Sequence, residues 1–339
     1  MSAKSIGVRL FLIALLLTAM AASLAAFMAW QWTNKPLTLA QPQVELSVEP
    51  GSGPREVAQR WVQAGVQTSP EMLYQWFRLS GDARRIRAGT YEVETGVTPR
   101  GLLAKMVQGD EAMDSVRLLE GWTFRQFREE LAKTPNLKQT SAAMTEAEVM
   151  AAIGAPGTSA EGRFYPDTYR FSRGVSDLAV LRSAYAAMRK RLETAWEQRA
   201  QALVLKNTEE VLTLASIVEK ETGRSSDRGR IAGVFLNRLR IGMPLQTDPT
   251  VIYGLGESFD GNLRKRDLQA DTPYNTYTRR GLPPTPISMP SMASINAVLH
   301  PEETKALYFV ARGDGTSAFS ENLADHNRAV NQFQRGGRP

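Results

Sequence analysis

The chain has 339 residues, a formal net charge of +6, and 42% hydrophobic and 22% charged residues, values of an ordinary globular protein with room for two or three folded units. It holds no cysteine and only two histidines, His300 and His326. Disulfides, thiolate catalysis, cysteine-based zinc sites and a histidine-rich metal centre are therefore excluded, and no metal or cofactor is expected. The modest positive charge favours acidic partners such as anionic lipid or glycan, and the lack of a basic run interleaved with aromatics argues against nucleic acid.

Lys4 and Arg9 precede an uncharged, proline-free apolar run from Leu10 to Trp30. At 1.5 Å per residue this run is long enough to cross a hydrocarbon core of roughly 30 Å. Trp30 and Trp32 stand where an interfacial aromatic belt belongs, and the early cations favour a cytoplasmic N-terminus over residues 1–9. A cleaved signal peptide is the alternative, with Ser23-Leu24-Ala25 as a small-residue cleavage site. The apolar run continues beyond that point, so an uncleaved anchor over residues 10–30 is the expectation, with the rest of the chain exported. Residues 31–43 are polar, carry two prolines and are expected to be a linker.

Alternation in "VELSVEPG" predicts a strand, and Val57, Trp61 and Val62 at helical spacing predict a helix ending at Gly65. A second helix is predicted after the cap Ser69 and Pro70, a strand over "AGTYEVETG", and a helix capped by Thr98. Residues 44–110 are therefore expected to form a compact α+β module, followed by a second domain over 111–339. In that domain "VRLLEGWTFRQFREELAK" reads as strand then helix, and a long helix is predicted from about Asp177 to Ala202. Another helix begins near Asn207, with Glu210 at capping-box spacing. A helix, a loop and a short helix follow, and a hairpin turning at Gly313-Asp314-Gly315 lies near the end.

The segment "ASIVEKETG" ends the Asn207 helix and carries two glutamates, Glu219 and Glu221. Val211, Leu214, Ala215 and Val218 form an apolar stripe that Leu212 and Ile217 widen, and the two acids fall on its opposite borders, roughly 160° apart. They cannot act as two jaws on one bond, and periodicity does not separate them. A carboxylate near a helix C-terminus and partly buried is pushed toward its protonated form, which suits a general acid. Phe164, Tyr165, Tyr169 and Phe171 read as core, Asn237 and Arg238 as packing or capping groups, Arg279 and Arg280 as a solvated loop face, and His326 as a hydrogen-bonded loop residue.

"LASIVEKETG", "VFLNRLRIGMPLQTDPTVIYGLG" and "PYNTYTRRGLPP", together with "EGWTF", "EGRFYPDTYRF", "LYFVARGDG" and "NLADHN" in the same order, resemble the membrane-anchored endolytic murein transglycosylases, the MltG or YceG-like family. The resemblance runs from the anchor to about Phe333. It implies an α+β architecture: a transmembrane anchor, a small LysM-like module, and a mixed α/β catalytic domain with a lysozyme-like catalytic helix. It also implies non-hydrolytic cleavage of peptidoglycan between N-acetylmuramic acid and N-acetylglucosamine, leaving 1,6-anhydro ends. One acid suffices for that chemistry, because the nucleophile is tethered to the substrate. By resemblance the catalytic residue is Glu221. Glu219 becomes a supporting residue or the alternative catalyst, and Gln246, Asp248, Tyr274, Asn275 and Tyr277 contact the sugar. The implied partners are peptidoglycan strands, the inner membrane and penicillin-binding synthases, beside which the enzyme would trim or terminate strands. A hydrolytic muramidase using Asp248 or Glu219 as second carboxylate, and a non-catalytic glycan-binding scaffold, are the other two readings.

Overall fold

The structure, a computed structural model, describes residues 3–334 and 336. Met1 and Ser2 of the expected cytoplasmic N-terminus and most of the C-terminal tail of segment 111–339 lie outside the described residues. The chain divides into two compact units, one of residues 1–114 with 172–174 and one of 115–171 with 175–339.

In the first unit, α1 (Ala3–Asn34) is a single helix whose segment Phe11–Asn34 is long and apolar enough to cross a membrane. The stretch expected to be a linker is structured instead. Helix α1 continues into it as far as Asn34, and β1 (Thr38–Leu39) pairs antiparallel with β3 (Val66–Gln67). Between these come β2 (Gln43–Val48) and α2 (Pro54–Ala64), and after them α3 (Pro70–Leu79), β4 (Gly89–Glu94) and α4 (Pro99–Gln108). Strands β2 and β4 are antiparallel, with Gln43 opposite Glu94 and Val48 opposite Gly89. The alternation read in "VELSVEPG" appears as buried Val44 and Val48 facing the core and exposed Gln43, Glu45 and Ser47. The predicted caps also form: the Ser69 side chain accepts from the Met72 N–H and the Thr98 side chain from the Gly101 N–H. Trp61, Leu73, Phe77, Tyr91, Leu102 and Met106 fill the core and are fully buried.

The second unit is mainly helical. Its first part contains most of β5 (Met113–Arg117), α5 (Phe124–Lys133), α6 (Glu146–Ala152), most of β6 (Thr168–Ser172) and the long α7 (Asp177–Glu197), with β5 and β6 paired. Phe164 and Phe171 are buried here, and the Phe164 ring stacks on Phe124 at 5.0 Å. Then follow α8 (Thr208–Glu221), α9 (Arg228–Arg240), α10 (Asp248–Leu255), α11 (Lys265–Gln269), α12 (Met292–Leu299), the hairpin β7 (Tyr308–Ala311) and β8 (Ser317–Ser320), and α13 (Leu323–Phe333). Asp314 makes the hairpin turn by accepting from the Thr316 N–H at 2.8 Å and its hydroxyl at 2.6 Å, between two glycines held at φ +86°.

Helix α8 departs from the amphipathic stripe drawn from its sequence: every residue from Val211 to Val218 is buried, Thr213 and Ser216 included. Helices α7, α9, α10 and α12 pack around it. Ser216 is tolerated at the centre because its hydroxyl donates to the Thr213 carbonyl at 2.7 Å and accepts from the Ile287 N–H at 3.0 Å. The capping box at its start is displaced by one residue. Asn207 accepts from the Glu210 N–H, but the Glu210 carboxylate takes the Lys206 N–H rather than that of Asn207.

Candidate active site

Helix α8 ends at Glu221, with Thr222 as its C-cap. The Thr222 hydroxyl donates back to the Val218 carbonyl at 2.5 Å, and Thr222 takes an extended backbone, φ −87° and ψ 106°. Glu221, the last helical residue, points into a cavity of about 570 Å³ whose walls include Arg238, Gln246, Asp248, Tyr277, Tyr308 and His326.

One oxygen of Glu221, Oε1, accepts a hydrogen bond from the Thr247 hydroxyl. Thr247 occupies the N-cap position of α10 but makes no side-chain cap, because its hydroxyl is used on Glu221. Its backbone is pinned in turn. The Thr247 N–H donates to Thr276 Oγ1 at 3.1 Å, the Thr250 hydroxyl donates to the Thr247 carbonyl at 2.8 Å, and the Thr250 and Thr276 hydroxyls lie 2.9 Å apart. All three threonines are buried. Gln246 enters this loop at φ +48°, a left-handed backbone unusual for a residue other than glycine, and its N–H donates to the Thr276 carbonyl at 3.0 Å.

Burial raises the Glu221 pKa above the ordinary carboxylate value and the Asp248 charge adds to the rise, while the Thr247 hydrogen bond and the Arg238 charge oppose it; the net direction is upward. Arg238 is buried and rigidly held. Its Nε donates to the Leu307 carbonyl at 2.7 Å and its guanidinium donates to the Leu245 carbonyl at 2.6 Å. Asp248 accepts from the Tyr277 hydroxyl at 2.5 Å. His326 corrects the loop assignment made from sequence: it lies on α13, stacked on Tyr308 at 5.1 Å, and its buried Nδ1 has no hydrogen-bond partner among the described residues. Burial and then the Arg238 charge lower its pKa, which favours the neutral imidazole.

A family model described as the YceG-like family matches residues 46–332. The chain belongs to this family. It is 40% identical over 174 residues to the endolytic murein transglycosylase of Bacillus subtilis strain 168, an alignment covering 51% of this chain and 48% of the relative. To the endolytic murein transglycosylase of Streptococcus pneumoniae strain D39 it is 28% identical over 320 residues, covering 85% of this chain and 58% of the relative. The chain thus spans about half the length of the curated relatives it matches. A crystal structure of a YceG-like protein from Listeria monocytogenes superposes with a TM-score of 0.53 at 29% identity, covering 85% of this chain and 98% of that one.

Within this YceG-like fold the residues singled out from sequence separate into groups. Gln246, Asp248 and Tyr277 join Glu221 at one cavity. Tyr274 faces elsewhere: its ring packs edge-on against Tyr253 at 4.9 Å, its hydroxyl pairs with Thr285 at 2.8 Å, and it lines a separate cavity of about 990 Å³. Asn275 is fully buried, so its expected role as a sugar ligand is not what the structure assigns it. Its Nδ2 is within 3.1 Å of the Asp267, Leu268 and Ala270 carbonyls, and its Oδ1 accepts from the Tyr277 N–H. It holds the loop that presents Tyr277. Arg279 pairs with Asp271 at 2.7 Å, and Arg280 donates to the Gly242 carbonyl at 3.0 Å.

Glu219 turns toward α12. Its Oε2 accepts from the Ser291 N–H at 2.9 Å, the Ser291 hydroxyl at 2.5 Å and the Ser294 hydroxyl at 2.7 Å. Ser291 is the N-cap of α12, so Glu219 braces the start of a neighbouring helix. Glu219→Ala is expected to lower stability by about 2 kcal/mol through loss of these bonds, read as a shift in urea midpoint. The folded fraction should retain turnover, and loss of turnover without loss of stability would make Glu219 the catalyst.

Two features at the edge of the second cavity, Glu161 in its wall and the glycine that follows, were not visible in sequence. Glu161, from "EGRF", is buried at 5% exposure and accepts from the Phe124 N–H at 3.1 Å and from the Tyr253 hydroxyl at 3.1 Å. Burial lifts its pKa to about 7. The next residue, Gly162, sits at φ +79° with its α-carbon against the Pro286 ring, where any Cβ would clash.

Proposed function

We propose that this YceG-like protein is an endolytic lytic transglycosylase of peptidoglycan, with Glu221 as its single acid and base. The observation that carries this is the asymmetry of the Glu221 carboxyl: one oxygen is fixed by Thr247, burial favours the protonated form, and the other oxygen is left to serve the substrate. The second carboxyl at the cavity, Asp248, is engaged by Tyr277, which makes it a held acceptor rather than a free base. The names of the relatives, endolytic murein transglycosylases, support the same chemistry.

In the proposed reaction Glu221 donates its proton to the glycosidic oxygen between muramic acid C1 and glucosamine C4, and the C1–O bond breaks with its electron pair going to that oxygen. Arg238 and the amide of Gln246 supply positive charge and hydrogen-bonding capacity beside the carboxylate that forms on Glu221 as it gives up its proton. The muramic C6 hydroxyl oxygen then bonds to C1 while its proton passes to the Glu221 carboxylate, which restores the acid. No water is consumed, because the tethered hydroxyl has a high effective molarity. A hydrolase would instead need a second carboxylate to activate water or form a covalent intermediate.

Under the same proposal α1 spans the inner membrane with Lys4 and Arg9 inside, residues 44–110 act as a LysM-like glycan-contacting module, and the domain from residue 111 onward works in the periplasm. There it would trim or terminate nascent strands beside penicillin-binding synthases. Digestion of purified glycan strands followed by mass analysis of the new ends tests the chemistry. Muramic ends lighter by one water than reducing ends are expected, and reducing ends would replace this reaction with hydrolysis.

A further inference from the structure

The first unit carries an apolar groove of about 1070 Å³ at the C-terminal end of α1, formed on one side by Met28 and Trp30 and on the other by Met72, Trp76 and Leu79 of α3. Helix α3 buries Leu73 and Phe77 in the core. Tyr74 and Trp76 pack against that core half-buried, the Trp76 indole donating to the Pro99 carbonyl at 3.0 Å, while Met72 and Leu79 are turned out, 47% and 79% exposed. A single exposed leucine needs no explanation. Here two exposed side chains and a tryptophan continue the apolar surface of a helix that is itself long and apolar enough to cross a bilayer.

The height of the groove along α1 sets its surroundings. From Phe11 to Met28 and Trp30 is roughly 26–28 Å of helix, close to the thickness of a hydrocarbon core. A bilayer that covers α1 from Phe11 therefore ends near Met28 and Trp30, the level at which Met72 and Leu79 line the same groove. The end of α1 does not swing freely from the unit. Thr33 is buried, Trp32 packs against the core, and the Leu37 N–H donates to the Val97 carbonyl at 2.8 Å. At the groove mouth the Glu71 carboxylate is engaged by Gln75 at 2.7 Å and Arg55 at 3.3 Å. Lys35, also lining the groove, supplies a cation.

The geometry points to a phospholipid site: the groove takes an acyl chain of the surrounding bilayer between α1 and α3, with Lys35 on the headgroup phosphate, so that α3 rides in the membrane interface. Apolar side chains at the boundary of headgroups and acyl chains with a cation above them are the arrangement that binds interfacial helices. This would hold the first unit at a fixed height on the membrane rather than on a tether.

The inference rests on the anchor reading, and the test separates the two. The chain has no cysteine, so single labels are unambiguous. Leu79→Cys and Met72→Cys in the full chain, labelled with an environment-sensitive fluorophore, are placed in phosphatidylethanolamine–phosphatidylglycerol vesicles. Leu17→Cys marks the middle of the span and exposed Gln201→Cys a water-facing control. Nitroxide-labelled lipid should quench the Leu79 and Met72 labels several-fold more than the Gln201 label, and aqueous iodide should quench them less. Lipid quenching at Leu17 but not at Leu79 or Met72 overturns the lipid site and leaves the anchor standing. Shielding of both labels from lipid and iodide alike also overturns it, since a second copy then fills the groove. No lipid quenching at Leu17 overturns the anchor itself.

Discussion

Glu221→Gln is expected to reduce strand cleavage by about 10²–10⁴-fold in kcat/KM, the range supplied by a positioned acid and base, with no loss of thermal stability. Gln keeps an oxygen for the Thr247 hydroxyl but has no proton to give and cannot receive one. Because a buried carboxyl is replaced by a neutral isostere, the fold should be unharmed. Turnover of purified glycan unchanged in this variant would exclude Glu221 as the catalyst. A companion substitution tests how the acid is held. The Thr247 hydrogen bond lowers the Glu221 pKa, so Thr247→Val removes a lowering influence and should move the alkaline limb of the activity profile to higher pH. Thr247→Ser, which retains the hydroxyl, should restore the wild-type profile. An unmoved limb in Thr247→Val would deny the hydrogen bond any part in tuning the acid.

The second large effect is expected at Glu161, far along the chain from Glu221. Its pKa is raised from 4.5 in the unfolded chain to about 7 in the folded one, chiefly by burial. The folded state therefore holds this proton more tightly than the unfolded state. Its contribution to stability is fully present below about pH 4.5, falls as pH rises, and is lost above about pH 7. The size of the effect is about 3 kcal/mol. Glu161→Gln should remove the dependence, because the amide oxygen can still accept from the Phe124 N–H and no charge has to be buried. In urea at pH 8 the variant should be more stable than wild type by about 3 kcal/mol, and near pH 4.5 the two should unfold alike. An equal difference at both pH values would show that Glu161 is not the titrating group.

Both predictions depend on placements that sequence alone leaves open, and the contrast between Glu219 and Glu221 shows why. The helical wheel correctly puts them on different sides of α8. It says nothing of what waits on each side. Three donors from Ser291 and Ser294 meet one acid, and one hydroxyl from Thr247 meets the other. Those partners lie 26 residues away in one case and 72 to 75 in the other, and no local pattern announces them. The aromatic loop behaves similarly. Tyr274, Asn275 and Tyr277 look equivalent as sugar ligands, yet the backbone sends Tyr277 to the Glu221 cavity, Tyr274 to another, and Asn275 inward to knit the loop together.

What the chain declares by itself is local. The apolar run of α1, the caps Ser69, Thr98 and Asn207, the Asp314 turn and the alternation of β2 each rest on residues within a few positions of one another, whose steric and hydrogen-bonding preferences act before any long-range contact forms. The motif order likewise places the chain in its family. Tertiary structure alone decided the burial of α8 on all sides, the different partners that meet the two glutamates, the membership of Arg238 and His326 in the cavity, and the burial of Glu161. Each of these depends on removal from water and on donors delivered by distant segments, and desolvation and partnering are properties of a packed environment, which exist only after the chain has folded.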